Sequence, residues 1–216
     1  MAKTENRGAE PQVLGRKLIY IPIIHTMADM GGLSESVQRA TLRKFGLRGL
    51  KSKETLIDKI WMEVEQIIKG LDLSHETVRI YQDGLPVCGR ETEIVKDLAK
   101  SQSRNYRLLL SLIERGATIM GTESADLLKE EYKHIKDIST SENVSKLEKL
   151  EVRNKSLSDS LLKKRDQFIA DRINRTLCPG ETGILFLGML HSPGHILDRD
   201  IKVIYPITRP FEQRGK

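Results

Sequence analysis

The sequence predicts a single-domain α/β fold, with a mostly parallel central sheet of about four or five strands flanked by helices. Three observations predict it. Lys17–His25 and Gly183–Leu190 are near-continuous apolar runs of strand length, the pattern of strands buried on both faces. Segments of helical periodicity separate the apolar runs. Every gap between predicted strands but the last is long enough for the crossover that parallel neighbours require.

The elements follow in order. Residues 1–16 are polar, contain Gly and Pro, and are expected to form a disordered tail. The first strand runs to His25, although Pro22 removes one ladder donor. Thr26–Gly32 is a loop signal. Leu33-Ser34 opens a helix through Val37, Leu42 and Phe45, stopped by Gly46. A second helix spans 52–69, with Ser52 as N-cap, an apolar face of Leu56, Ile60, Val64, Ile67 and Ile68, and Gly70 as stop. Thr77–Tyr81 is the second strand, ended by Gln82-Asp83-Gly84. Helical periodicity from Glu91 to Arg115 forms one long helix or two pieces, and Ala117–Thr122 is a short third strand. A helix over 125–138 follows. Residues 142–177 repeat Leu147, Leu150, Leu157, Leu161, Phe168, Ile169, Ile173 and Leu177 at helical spacing, up to Pro179-Gly180. Gly183–Leu190 is the fourth strand, His191–His195 a loop and Ile201–Tyr205 the last strand. Residues 17–207 thus make one domain, and 208–216 a basic tail.

Composition removes several function classes. The chain has 216 residues with 38% hydrophobic and 31% charged, ordinary for a globular protein. No apolar run approaches the roughly 18–20 residues of a membrane span. Met1–Gly15 lack the apolar stretch of a signal peptide, and Cys88 and Cys178 have no ligand or disulfide-framework spacing, so a cytoplasmic protein is expected. There is no GxxxxGK[ST], no GxGxxG after a strand, no GxSxG and no HExxH. These absences disfavour a P-loop ATPase, a Rossmann dehydrogenase, a serine hydrolase and a zincin.

The net charge of +6 invites a nucleic-acid reading through Arg39, Arg43, Lys44, Arg48, Lys51, Lys53 and Lys59 in the stretch 39–59. However, aromatic residues are only 5% of the chain, and residues 18–198 carry 27 basic against 26 acidic groups. Nucleic acid is therefore the third choice of partner, behind a small-molecule or peptide substrate. The long helix leaves a homodimer open.

Open α/β sheets bind ligands beyond the carboxyl ends of their strands. His25 stands at the end of the first strand, Asp83 after the second, Glu123 after the third and His191 after the fourth, with His195 four residues on. Each has an ordinary alternative: Asp83-Gly84 is also a turn pair, and Glu123 also suits a helix N-terminus. Together, two imidazoles and one or two carboxylates are a ligand set for a divalent metal such as Zn, Mn, Fe or Co. They can equally do acid/base work without metal. Asp29, Asp83 and His195 are the candidate ligand-binding residues. The same pocket would also suit a non-catalytic small-ligand-binding or sensor module.

An opening strand ending in His, an Arg-led helix at Lys164–Leu177 and a late strand ending in Gly188-x-x-His191 resemble the TraB/PrgY group. Tiki-type proteases and, more distantly, ChaN-type haem-binding and erythromycin-esterase-like proteins share this layout. Pro22 stands where the family's first motif has Gly, and Gln82-Asp83 where a Glu is expected. The resemblance implies a metal-dependent hydrolase. His25 and His191 would be metal ligands or bases, and Glu123 would hold the ion or water. Arg165 would bind a substrate anion or stabilise an oxyanion, a role suited to its planar, always-charged fork.

Overall fold

The computed structural model describes residues 15–26, 34–100, 103–140 and 147–207. Asp29 with its loop, residues 1–14 and the 208–216 tail lie outside the described residues. The described chain runs β1 (Arg16–Ile23), α1 (Ser34–Gly70), β2 (Val78–Gln82), α2 (Glu91–Lys100), α3 (Arg104–Glu114), β3 (Thr118–Met120), α4 (Ala125–Thr140), α5 (Leu147–Thr176), β4 (Thr182–Gly188) and β5 (Ile201–Ile204).

The strands form one five-stranded sheet in the order β3-β2-β4-β1-β5, and every pairing is parallel. The expected α/β architecture is therefore present. The two apolar runs are the central neighbours, paired from Lys17–Thr182 to Ile23–Gly188. Their continuous hydrophobicity follows from that position, since helices cover both faces there. Pro22 is tolerated because β5 pairs only with Arg16–Ile19, leaving β1 an open edge further on. Arg16, placed in the tail by sequence, is the buried first residue of β1.

One face of the sheet carries Ile19, Ile21, Ile23, Val78, Ile80, Ile184 and Phe186 against Ile57, Trp61, Val64 and Ile68 of α1 and Leu108, Leu109 and Leu112 of α3. The other carries Leu18, Tyr20, Tyr81, Leu185 and Leu187 against Ile169 and Ile173 of α5 and the following Leu177. The second half of the long helix thus packs on its own sheet, while Leu157 remains exposed. Gly46 breaks α1 as its sequence position suggests, with φ +67° and non-helical geometry. Two helices occupy the Glu91–Arg115 region, because Ser103 caps α3 by accepting from the Tyr106 N–H. Of the basic stretch, Arg48, Lys51 and Lys59 are exposed on α1, while the side chains of Arg39, Arg43, Lys44 and Lys53 lie outside those described. Among the described residues no helix is long and apolar enough to cross a membrane.

Candidate functional site

All strands point the same way, so their carboxyl ends share one edge of the sheet. His25, Asp83, Glu123 and His191 follow β1, β2, β3 and β4 there. Asp83 sits in a tight turn closed by the Leu85 N–H to the Gln82 carbonyl (3.2 Å), with Gly84 at φ +74°. The turn residue and the candidate acid are therefore the same residue. Glu123 is strapped to that loop: its N–H donates to the Leu85 carbonyl, and the Val87 N–H donates to its own carbonyl. Gly121 permits this approach, because a Cβ there would lie 2.6 Å from Val87 Cα and 2.9 Å from the Pro86 oxygen.

Arg165, on α5, joins the acids. Its Nη2 donates to Asp83 Oδ1 (2.7 Å) and Glu123 Oε1 (2.6 Å), and its Nε to Glu123 Oε2 (3.1 Å). Its Nη1 donates to both oxygens of Glu131 on α4 (2.6 and 2.7 Å). All three guanidinium nitrogens are engaged, Nη1 by directing an N–H between the two Glu131 oxygens. Arg165 is thus occupied in holding carboxylates, a different task from the anion binding that the resemblance implies.

The second Asp83 oxygen accepts from the Gly188 N–H (2.8 Å) and hydrogen-bonds His25 Nε2 (3.0 Å). A Cβ at 188 would lie 2.8 Å from that oxygen, so glycine lets Asp83 stand this close without shifting. A turn closed by the His191 N–H to the Gly188 carbonyl (3.0 Å) brings His191 back over the site. Asp166, next to Arg165 on α5, binds His191 Nδ1 (2.6 Å) and accepts from the Ser192 N–H (2.9 Å). His191 Nε2 then faces Asp83 Oδ2 at 3.8 Å.

Asp83, Glu123, Arg165, Asp166 and His191 are all buried, while His25 keeps 33% of its side chain exposed and Glu131 is half-buried. Burial pushes the Asp83 carboxyl up, but the His25 hydrogen bond and the charges of His25, His191 and Arg165 outweigh it. Asp83 is held well below the usual carboxylate range. Glu123 goes the other way: burial raises it, the Asp83 charge adds to the rise, and Arg165 only partly opposes. Arg165 is penalised by burial yet held more firmly protonated than an ordinary arginine by Glu123, Asp83 and Glu131.

Sequence reasoning had named five of the gathered residues: His25, Asp83, Glu123, Arg165 and His191. His195 is exposed on the 3-10 turn Pro193–His195 and takes no part in the network. Asp166 and Glu131 were missed. For Glu131 the signal was helical spacing, since it falls in the row Leu128, Glu131, Ile135. A charge inside an apolar row asks for a partner. Cys88 and Cys178 are free and exposed.

The ligand atoms that lie together, all within 4.8 Å, belong to Asp83, Glu123 and His191. Asp83 takes the place expected of His25, which stands behind it as a hydrogen-bond partner. Two features of the donor set fit a divalent cation. Two ligands each about 2 Å from one ion lie about 3–4 Å apart, and the His191–Asp83 separation of 3.8 Å falls in that range. Three carboxylates (Asp83, Glu123, Glu131) also face the one guanidinium and a fourth, Asp166, binds His191, so with all four ionised the site carries surplus negative charge even with both imidazoles protonated. Comparison with known proteins gives no matching family model, no matching curated protein and no matching solved structure.

Proposed function

We propose that the chain is a metal-dependent hydrolase of the TraB/Tiki-like type, acting at the carboxyl edge of its parallel sheet. The observation that carries this reading is the convergence of Asp83, Glu123 and His191 in a buried site with surplus negative charge. These three would hold a divalent ion such as Zn, Mn, Fe or Co. When bound, such an ion supplies Lewis acidity and lowers the pKa of water.

The chain's own residues do the rest. Asp166 fixes the His191 ring through Nδ1, which leaves Nε2 for the site; an acid behind a ligating imidazole fixes tautomer and orientation in this way. Arg165 keeps Asp83 and Glu123 close together despite their like charge. His25 is the imidazole open to solvent and within hydrogen-bond reach of Asp83, the position for taking a proton from water and returning it to the leaving group.

The test is metal analysis of purified protein beside hydrolysis of a panel of esters and peptides with added Zn or Mn. Expected are one equivalent of bound metal and turnover that chelation removes. His191→Ala loses both, whereas His25→Ala loses turnover. Protein that neither carries nor takes up Zn or Mn overturns the reading. A second reading, a binding or sensor module that holds a small ligand in the same pocket, is favoured by one observation. All three Arg165 nitrogens already donate to carboxylates of the protein itself. A ligand that co-purifies unchanged supports it.

A further inference from the structure

Strand β4 ends in a turn whose two central residues are Met189 and Leu190. Turn tips normally take Gly, Asn, Asp, Ser or Pro, each for a conformational or hydrogen-bonding reason. Methionine and leucine serve none of these. They are also not turned inward: Leu190 is 83% exposed and Met189 38%. Their backbone does serve the site, because Gly188 donates to Asp83 and the turn delivers His191 to Asp166. Two large apolar side chains thus stand in solvent between two residues of the site.

Other exposed apolar side chains leave the same edge. Val87 lies in the loop after β2 and donates its N–H to the Glu123 carbonyl. Tyr205 follows β5 with its ring 5.4 Å from that of Tyr20, whose hydroxyl donates to the His191 carbonyl. Among the described residues, the polar centre thus has exposed apolar groups beside it as well as the half-buried Glu131 and His25.

We infer that Met189 and Leu190 are specificity-determining residues that receive an apolar group of the substrate, the acyl side of an ester or amide, beside the reacting carbonyl. The inference rests on the hydrolase reading for the identity of the reaction. In that reaction the oxygen of water bonds to the acyl carbon, the bond to the leaving oxygen or nitrogen breaks, and the leaving group departs with a proton. The turn supplies none of this chemistry; it supplies affinity that grows with apolar area. Each buried methylene is expected to raise kcat/KM or affinity roughly fourfold.

The test compares wild type with Met189→Ser/Leu190→Ser, after circular dichroism shows that both are folded. Hydrolysis of p-nitrophenyl esters from acetate to octanoate is measured beside calorimetric binding of primary amides from acetamide to octanamide. Expected is a steep rise with chain length in wild type and a flattened slope in the variant. A binding slope of that kind without turnover sustains the inference and overturns the hydrolase reading. Turnover whose slope is flat, or unchanged in the variant, overturns the inference and leaves the hydrolase reading standing. Binding that does not lengthen with the amide series, in protein without turnover, overturns both. A wild-type dimer that dissociates in the variant by light scattering assigns the turn to a second copy of the chain, and overturns the inference.

Discussion

Two buried arginines sit at opposite ends of the same sheet. Arg16, at the amino edge, donates to Asp198 and Asp200 and to the Asn174 and Leu177 carbonyls. Arg165, at the carboxyl edge, donates to Asp83, Glu123 and Glu131. Both guanidinium groups are almost wholly shielded. Their partners differ. The Asp198 and Asp200 side chains are 49% and 61% exposed, whereas those of Asp83 and Glu123 are 4% and 0% exposed. The amino-edge cluster pins β1 to the end of α5 and to the β4–β5 loop with carboxylates that water already solvates. The carboxyl-edge cluster takes carboxylates out of water, crowds them and adds two histidines. The first arrangement is what a clamp needs; the second is the crowded, desolvated kind on which the proposed function draws.

Substitution separates the two. Arg165→Met leaves Asp83 and Glu123 buried without their cation, a loss of about 3–5 kcal/mol in urea denaturation. If Arg165→Met unfolds no more easily than Arg16→Met, the distinction between the two clusters fails. Asp166→Asn keeps the volume but removes the charge behind His191, and is expected to weaken Zn or Mn binding about 10- to 100-fold by calorimetry. Unchanged metal affinity would show that His191 needs no such support. Arg16→Met, whose acidic partners stay solvated, should cost about 1–2 kcal/mol, mostly through the lost bonds to backbone carbonyls. It should leave metal binding unaltered.

The smallest net effect is the pH dependence, since the two acids oppose each other. Asp83 is held below its ordinary value of 3.8, so its stabilisation is present above that pH and fades as pH falls through its folded value. Glu123 is raised above 4.5, so its contribution is complete below that pH and is lost as pH rises through its folded value. The slope of the denaturation midpoint against pH should therefore change in opposite senses in Asp83→Asn and Glu123→Gln. Parallel slopes would mean that the two acids titrate as one.

Much of the molecule can be read from the chain. The two apolar runs identify themselves as buried strands and Gly46 marks a break, whereas the Ser103 cap and the close approach at Gly188 emerge only in the fold. His25, Asp83, Glu123 and His191 are found from strand ends alone, because a parallel sheet gathers those ends on one edge. Asp166 escaped because Arg165-Asp166 looks like any solvated pair on a charged helix. Its burial depends on how α5 lies across the sheet.

The sequence by itself determined the architecture and the edge at which polar groups collect, since hydrophobic periodicity and strand polarity are local properties. Only the tertiary structure decided which of those groups touch. Asp83 and Arg165 are 82 residues apart, and Glu123 and Arg165 are 42 apart. Their pairing depends on the placement of α5 to within an ångström or so, which no local pattern specifies. That placement brought Asp83, Glu123 and His191 together, moved His25 to their open side, and turned all three nitrogens of Arg165 onto carboxylates.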